Sequence, residues 1–410
     1  MDQKRLHKLV ETIASRDFPS EKELLINVLD QIVENENIKV TGGRIWKLNE
    51  IKRSYKILYQ TGNFEKLDPE FELKVKDYPT FDLIVKERTI LGNETNVVLL
   101  GKGIFKYSAS GVGSKIKIND QRYYEYILAL NSDKIDDDLR LNLNIIATAL
   151  TAEIKQRRLL KSADHLKADI DKARQLQRSI LPEHEYHFSD YELYGVTSPA
   201  EIVGGDFFDY IEGGESGERL GVLIGDAASK GVGAAAEAMY ISGALRMAIS
   251  FEIKITPLMK RMNQLVNKIF EDDKFASLFY GELLTHKGGL FLYANAGHNP
   301  PLFYKAGSGE VEFLQTTGPL LGPAPNSHFY IESINFSKGD ILLLYSDGIT
   351  EATDLKSDQY GDERLLNGLK EVSSLSPKEI VLSILEDVIS FSKNGIYHDD
   401  KTLVAIKKTK

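Results

Sequence analysis

The chain has 410 residues, 42% of them hydrophobic and 27% charged, enough for two or three ordinary soluble domains. It contains no cysteine, which excludes disulfides, thiolate catalysis and Cys-ligated zinc and agrees with a reducing cytoplasm. Its net charge of −9 gives no basic excess for nucleic acid, and no apolar run approaches the ~20 residues of a membrane span.

Residues 1–150 predict a mixed α/β unit. Leu6, Leu9, Val10 and Ile13, then Leu24, Leu25, Val28, Leu29 and Ile32, recur at helical spacing. Strand-like runs follow at 38–46, 55–60, 81–87, 96–100 and 123–130. Gly42-Gly43, Thr61-Gly62-Asn63 and Leu91-Gly92-Asn93 punctuate them with turn chemistry. Helices, strands and a closing helix in a unit of this size resemble a GAF-type sensor domain. The resemblance implies a small ligand or an upstream activator as input; a domain used only for dimerisation is the alternative.

Residues 139–180 continue as a long helical pattern. Leu159, Ala163, Leu166, Ile170, Ala173, Gln177 and Ile180 follow a 4-3-4-3 spacing, the seam of a coiled coil. This predicts a coiled-coil linker over 151–182 and a parallel homodimer. Pro182 ends the helix, since proline cannot continue it. Eight basic and four acidic residues within 153–178 read as a solvated flank rather than as a membrane or nucleic-acid surface.

Residues 185–410 alternate strands, expected at 220–224, 276–284, 289–294 and 340–345, with helices expected at 234–250, 257–270 and 377–392. Aspartates stand at the strand ends. Asp206 follows Val203-Gly204-Gly205, Asp226 follows Leu223-Ile224-Gly225, and Asp347 follows Leu344-Tyr345-Ser346. His398-Asp399-Asp400 precedes the run Leu403-Val404-Ala405-Ile406. Carboxylates gathered at the rim of an apolar core repel one another unless cations hold them, and oxygen-only ligands suit Mg²⁺ or Mn²⁺.

The motifs in this order resemble the bacterial PPM phosphatases of the stage II sporulation E and sigma-B regulator type, relatives of protein phosphatase 2C. Arg174-Gln175-Leu176-Gln177-Arg178-Ser179-Ile180-Leu181-Pro182 matches the family's linker signature. Val203 to Asp209, Gly225 to Gly231, Tyr293 to Pro301, Gly339 to Ala352 and Asp399 to Thr402 match its successive motifs. The resemblance implies a PP2C-like α-β-β-α sandwich over 185–410, joined by the long helix to the GAF-like domain.

It also implies two Mn²⁺ or Mg²⁺ ions held by Asp206, Asp226, Asp347, Asp399 and the Ala227 carbonyl, with Asp226 bridging and Asp226 and Asp347 central to catalysis. The reaction would be hydrolysis of phosphoserine or phosphothreonine by a water activated between ions ~4 Å apart. The implied substrate is a phosphorylated STAS-type anti-anti-sigma factor. Asp209 and Asp400 are expected as helix caps, ahead of supporting the metal ligands; His298 as the residue ordering its Gly297-His298-Asn299-Pro300 turn, ahead of protonating the leaving oxygen; and Lys230 and Arg178 as surface residues, ahead of meeting the substrate phosphate. The family's Ser-Gly before the lysine is Ala228-Ser229 here, which would restrict the loop if it needs a positive φ. A catalytically silent scaffold binding the same partner is the competing reading; it has no need of four clustered acids.

Overall fold

The computed structural model describes residues 3–34, 40–213, 217–251, 253–270, 274–285, 288–393 and 399–410. Residues 38 and 39 of the first expected strand, and His398, lie outside them. Two compact units divide at residue 166.

The first unit opens with helices α1 (Gln3–Ser15) and α2 (Glu21–Val33). Strands β1 (Gly42–Asn49), β2 (Ser54–Gly62) and β3 (Glu72–Lys74) follow, then α3 (Thr80–Glu87), β4 (Thr89–Asn93) and α4 (Val97–Gly101). The unit is completed by β5 (Lys106–Ile118), β6 (Gln121–Asn131) and the start of α5 (Asp137–Ile180). The six strands form one antiparallel sheet in the order β3-β2-β1-β6-β5-β4.

Strand alternation gives this sheet two buried faces. Ile45, Leu128 and Leu130 pack against α1, α2 and Leu143, Ile146 and Leu150 of α5. Trp46, Leu48 and Ile127 pack against Phe81, Ile84 and Leu99 of α3 and α4.

Two segments expected as strands are helices. In 81–87, Phe81 and Ile84 are buried three residues apart while Leu83 is 49% exposed, a helical rather than a two-residue period. In 96–100, Asn96 caps α4 by accepting from the N–H groups of Val98 and Leu99, at 3.0 and 3.2 Å. Conversely, Gly42-Gly43 and Leu91-Gly92-Asn93 lie inside strands, and Gly111-Val112-Gly113 sits in β5 where the pairing with β6 shifts register.

The second unit takes the end of α5, then β7 (Glu185–Phe188), β8 (Tyr191–Ser198), β9 (Phe207–Gly213) and β10 (Arg219–Ala227). Helices α6 (Gly231–Ser250) and α7 (Ile255–Ile269) follow. Next come β11 (Ala276–Leu284), β12 (Leu290–Ala296), β13 (Leu302–Lys305), β14 (Glu310–Phe313), β15 (Glu332–Asn335) and β16 (Ile341–Tyr345). The unit closes with α8 (Asp347–Thr350), α9 (Gly361–Glu371), α10 (Pro377–Phe391) and β17 (Lys401–Lys408).

Two antiparallel sheets, β15-β12-β11-β10-β9 and β14-β13-β16-β17-β8-β7, stack face to face. Leu220, Val222 and Ile224 of β10 meet Leu342 and Leu344 of β16 and Val404 and Ile406 of β17 between them. The alternate residues face outward. Leu223 lies under α6 and α7, and Ile341, Leu343 and Leu403 lie under α9 and α10. This is the expected α-β-β-α sandwich.

Candidate active site

The inward-facing rows of four strands end in polar side chains. On β9 and its lead-in the row runs Tyr210, Phe208, Asp206, and on β10 it runs Leu220, Val222, Ile224, Asp226. On β16 it runs Leu342, Leu344, Ser346, and on β17 Ile406, Val404, Thr402. The apolar members fill the core between the sheets, and the polar ends form one rim. Pairing of Gly225 with Phe207 sets Asp206 and Asp226 at the same end of one sheet. Pairing of Tyr345 with Leu403 does the same for Asp347 and Asp399 on the other.

Hydrogen bonds join the two ends. The Thr402 hydroxyl on β17 donates to Asp206 Oδ2 at 2.7 Å, spanning the two sheets. Asp400 ties the same loop down: its Oδ2 accepts from the Gly205 N–H at 2.6 Å and its Oδ1 from the Ala200 N–H at 2.7 Å. The Gln177 amide closes the loop from the other side, donating to the Gly204 carbonyl at 2.6 Å and accepting from the Gly204 N–H at 3.3 Å. A Cβ on Gly204 would lie 2.0 Å from Asp400 Oδ2, so only glycine fits there.

The acids sense one another. Burial, then the Asp226 charge, pushes Asp206 well above the carboxylate range, against the Ser346 and Thr402 hydroxyls. Burial, then Asp347, Asp399 and Asp400, pushes Asp226 up to about 7, with Lys230 opposing. Asp347 is likewise raised by burial and by Asp399. Asp399 is half-buried and its Oδ1 accepts the Asp400 N–H at 2.9 Å. The Ala227 carbonyl oxygen and Asp226 Oδ1 lie 2.7 and 3.2 Å from where a Cβ on Gly205 would stand.

Every residue expected to hold an ion therefore lies at this rim. Among the described residues, no three acidic or histidine side chains already stand at ligand spacing, so the cluster is defined by its mutual electrostatics. The donor set fits hard divalent cations: it is all oxygen, it mixes carboxylates with a backbone carbonyl, and three of its acids are pushed toward protonation in the absence of positive charge.

Several expectations change. Neither Asp209 nor Asp400 caps a helix. Asp209 pairs with Arg246 of α6, whose Nη2 stands 3.1 Å from its Oδ1, and Asp400 is the loop clamp described above. Gln177, expected on a coiled-coil seam, is only 9% exposed and grips the Gly204 backbone.

The Ala228-Ser229 substitution is accommodated, because the left-handed residue of that loop is Gly231, at φ 63°. Ser229 instead donates to Glu237 Oε1 at 2.9 Å. His298 orders its turn as expected: its N–H donates to Asn295 Oδ1 at 2.8 Å and its Nδ1 lies 2.7 Å from Ser277 Oγ. Burial lowers its pKa to about 4, which removes it as an acid near neutrality.

Sequence reasoning passed over Ser346 and Thr402. Their signal was a hydroxyl residue continuing an otherwise apolar inward row. Arg178 is exposed, as expected, and with Arg174 and Gln177 it lines a cavity of about 70 Å³ beside Asp206.

Residues 216–409 match the family of stage II sporulation protein E, SpoIIE. The match takes in most of the C-terminal unit. Asp226, Asp347 and Asp399 lie inside the matched span, and Asp206 just precedes it. Among curated relatives, the chain is 29% identical to protein IcfG of a Synechocystis strain over 58% of its own length and 41% of that protein. It is 25% identical to the phosphoserine phosphatase RsbU of Bacillus subtilis over 59% of its length and 71% of RsbU. The chain thus spans about two fifths of IcfG. Among solved structures, the SiaA-PP2C domain of Pseudomonas aeruginosa aligns with a TM-score of 0.52 at 17% identity, covering 60% of this chain and 98% of that domain, a likeness of fold. The SpoIIE-type unit thus has the PP2C architecture, with its acidic rim at the ends of both sheets.

Proposed function

We propose that the chain is a divalent-metal-dependent protein serine/threonine phosphatase. The observation that carries this reading is the meeting of Asp206, Asp226, Asp347 and Asp399 at one rim of a SpoIIE-family sandwich. Asp206, Asp226, Asp347, Asp399 and the Ala227 carbonyl would hold two Mn²⁺ or Mg²⁺ ions, with Asp226 shared. Such ions supply neutralising charge for phosphoryl oxygens and a lowered pKa for water.

The chain's own residues do the rest. Thr402 and Asp400 fix the loop bearing Asp206, so that its carboxylate is held before substrate arrives. Arg174 and Arg178, lining the cavity beside Asp206, offer guanidinium groups to a phosphorylated side chain. His298 holds its turn without exchanging protons.

The substrate class is a phosphoserine or phosphothreonine protein, with a STAS-type regulator the favoured partner by likeness to RsbU. The N-terminal unit is read as a GAF-like regulator. The seam of α5, with Leu159 and Leu166 more than half exposed, supports a homodimer. No helix among the described residues is long and apolar enough to cross a membrane.

The test is hydrolysis of p-nitrophenyl phosphate and of a phosphoserine peptide by the full chain. Activity should require Mn²⁺ or Mg²⁺ and be lost in Asp226→Asn and Asp347→Asn. Metal-independent turnover, or full activity in both variants, would refute the reading.

A further inference from the structure

The N-terminal unit holds a cavity of about 40 Å³ between its sheet and helices α3 and α4. Trp46, Phe81, Ile84, Leu99, Ile104 and Tyr107 supply mostly apolar walls. Arg44 stands among them at 2% exposure. Alternation along β1 puts it there, because Arg44, Trp46 and Leu48 share one face of the strand while Ile45 takes the other.

The Arg44 guanidinium is only partly engaged. Its Nη1 donates to Asn131 Oδ1 at 3.3 Å, and its central carbon lies 3.8 Å from the centroid of the Phe64 ring. Nε and Nη2 are buried without a hydrogen-bond partner. Glu94, which lines the same cavity, is spoken for: its Oε2 accepts from the Tyr78 hydroxyl at 2.7 Å, and its Oε1 from the N–H groups of Thr95 and Asn96 at 2.8 and 2.7 Å. Burial lowers the Arg44 pKa only to about 10, so the group is cationic at neutral pH.

A buried cation with two idle donors is costly unless an acceptor arrives. Nε–H and Nη2–H form one side of the guanidinium fork, the pair that receives a carboxylate with two parallel hydrogen bonds. The space is small: at roughly 10–15 Å³ per water it equals about three waters, the size of a carboxylate with a short tail.

We propose that this cavity is a binding site for a short-chain monocarboxylate, its carboxylate held on Nε and Nη2 of Arg44 and its tail against Trp46 and Tyr107. Ligands of this class enter with the tail toward the aromatic walls, and longer or doubly charged anions are excluded by size and by Glu94.

Trp46 is the chain's one tryptophan, so its fluorescence reports on the site directly. The full chain is titrated with sodium acetate, propionate and butyrate against sodium chloride at matched ionic strength, with thermal unfolding in parallel. The expected result is a saturable change in Trp46 emission and a raised Tm for at least one carboxylate, neither seen with chloride. Arg44→Gln should abolish the response. Ala109→Leu, which fills the cavity but keeps the guanidinium, should abolish it as well in a chain that remains folded by circular dichroism. An equal response to chloride, no saturation by any of the three at tens of millimolar, or a response retained in folded Ala109→Leu would each overturn the assignment.

Discussion

The Thr402 hydroxyl lies 2.7 Å from Asp206 Oδ2, and this contact, beside the Asp400 clamp on the Gly205 N–H, joins the first sheet of the sandwich to the second at the acidic rim. Asp206 is 3% exposed and raised toward protonation by burial and by Asp226, so a donor from the opposite sheet stabilises its charged form. Thr402→Val should leave a buried carboxylate short of a donor, destabilise the protein by about 1–3 kcal/mol, and lower kcat by roughly tenfold. Thr402→Ser should restore both. Equilibrium unfolding in urea and steady-state kinetics check this pair.

Gln177 predicts a second loss. Its amide satisfies both backbone groups of Gly204, and no hydrocarbon side chain can do so. Gln177→Leu should cost about 1–3 kcal/mol in the C-terminal unit and weaken activity by roughly tenfold, because the Asp206 loop loses one of its three anchors, the others being Asp400 and Thr402. A variant with wild-type activity would show that the Asp400 and Thr402 contacts are enough without it.

How stability depends on pH follows from Asp226, whose pKa rises from an ordinary 3.8 to about 7. A folded-state value above the unfolded one means that the folded chain holds the extra proton. The stability from this group is fully present below pH ~4 and is lost as pH rises through ~7. Divalent cations act on the ionised form. In chelator-treated protein, added Mn²⁺ should therefore raise Tm more at pH 8 than at pH 5, as read by differential scanning calorimetry; equal shifts would contradict it.

His298 gives the opposite sign. Its pKa falls from 6.5 to about 4 on burial, so the stability from keeping it neutral is full above pH 6.5 and is lost as pH falls through ~4. His298→Asn should flatten the decline in unfolding free energy between pH 7 and pH 4.5, while the pH–rate profile between pH 6 and 9 keeps its shape. A lost limb near neutrality would make His298 a proton donor instead.

Much of the C-terminal unit was legible because its strands are short apolar runs closed by Asp and Gly. The run 276–284 coincides with β11, and each aspartate expected at the rim is found there. The contacts that hold the rim were not legible. Thr402 and Asp206 are 196 residues apart, and nothing local says that β17 faces β9. Gln177 fits a heptad seam as well as it fits a buried clamp, and only the fold chooses between them. The N-terminal unit misled more. Short β-branched stretches such as 81–87 and 96–100 favour strands by composition, yet burial at three-residue spacing and the Asn96 cap make them helices.

The central claim is that the acidic rim takes up a pair of hard cations. Isothermal titration of Mn²⁺ into chelator-treated full-length protein tests it most directly. The account predicts saturable uptake approaching two ions per chain, reduced to one or none in Asp226→Asn and diminished in Asp347→Asn. No saturable uptake by the wild-type chain, or unchanged uptake in Asp226→Asn, would contradict it.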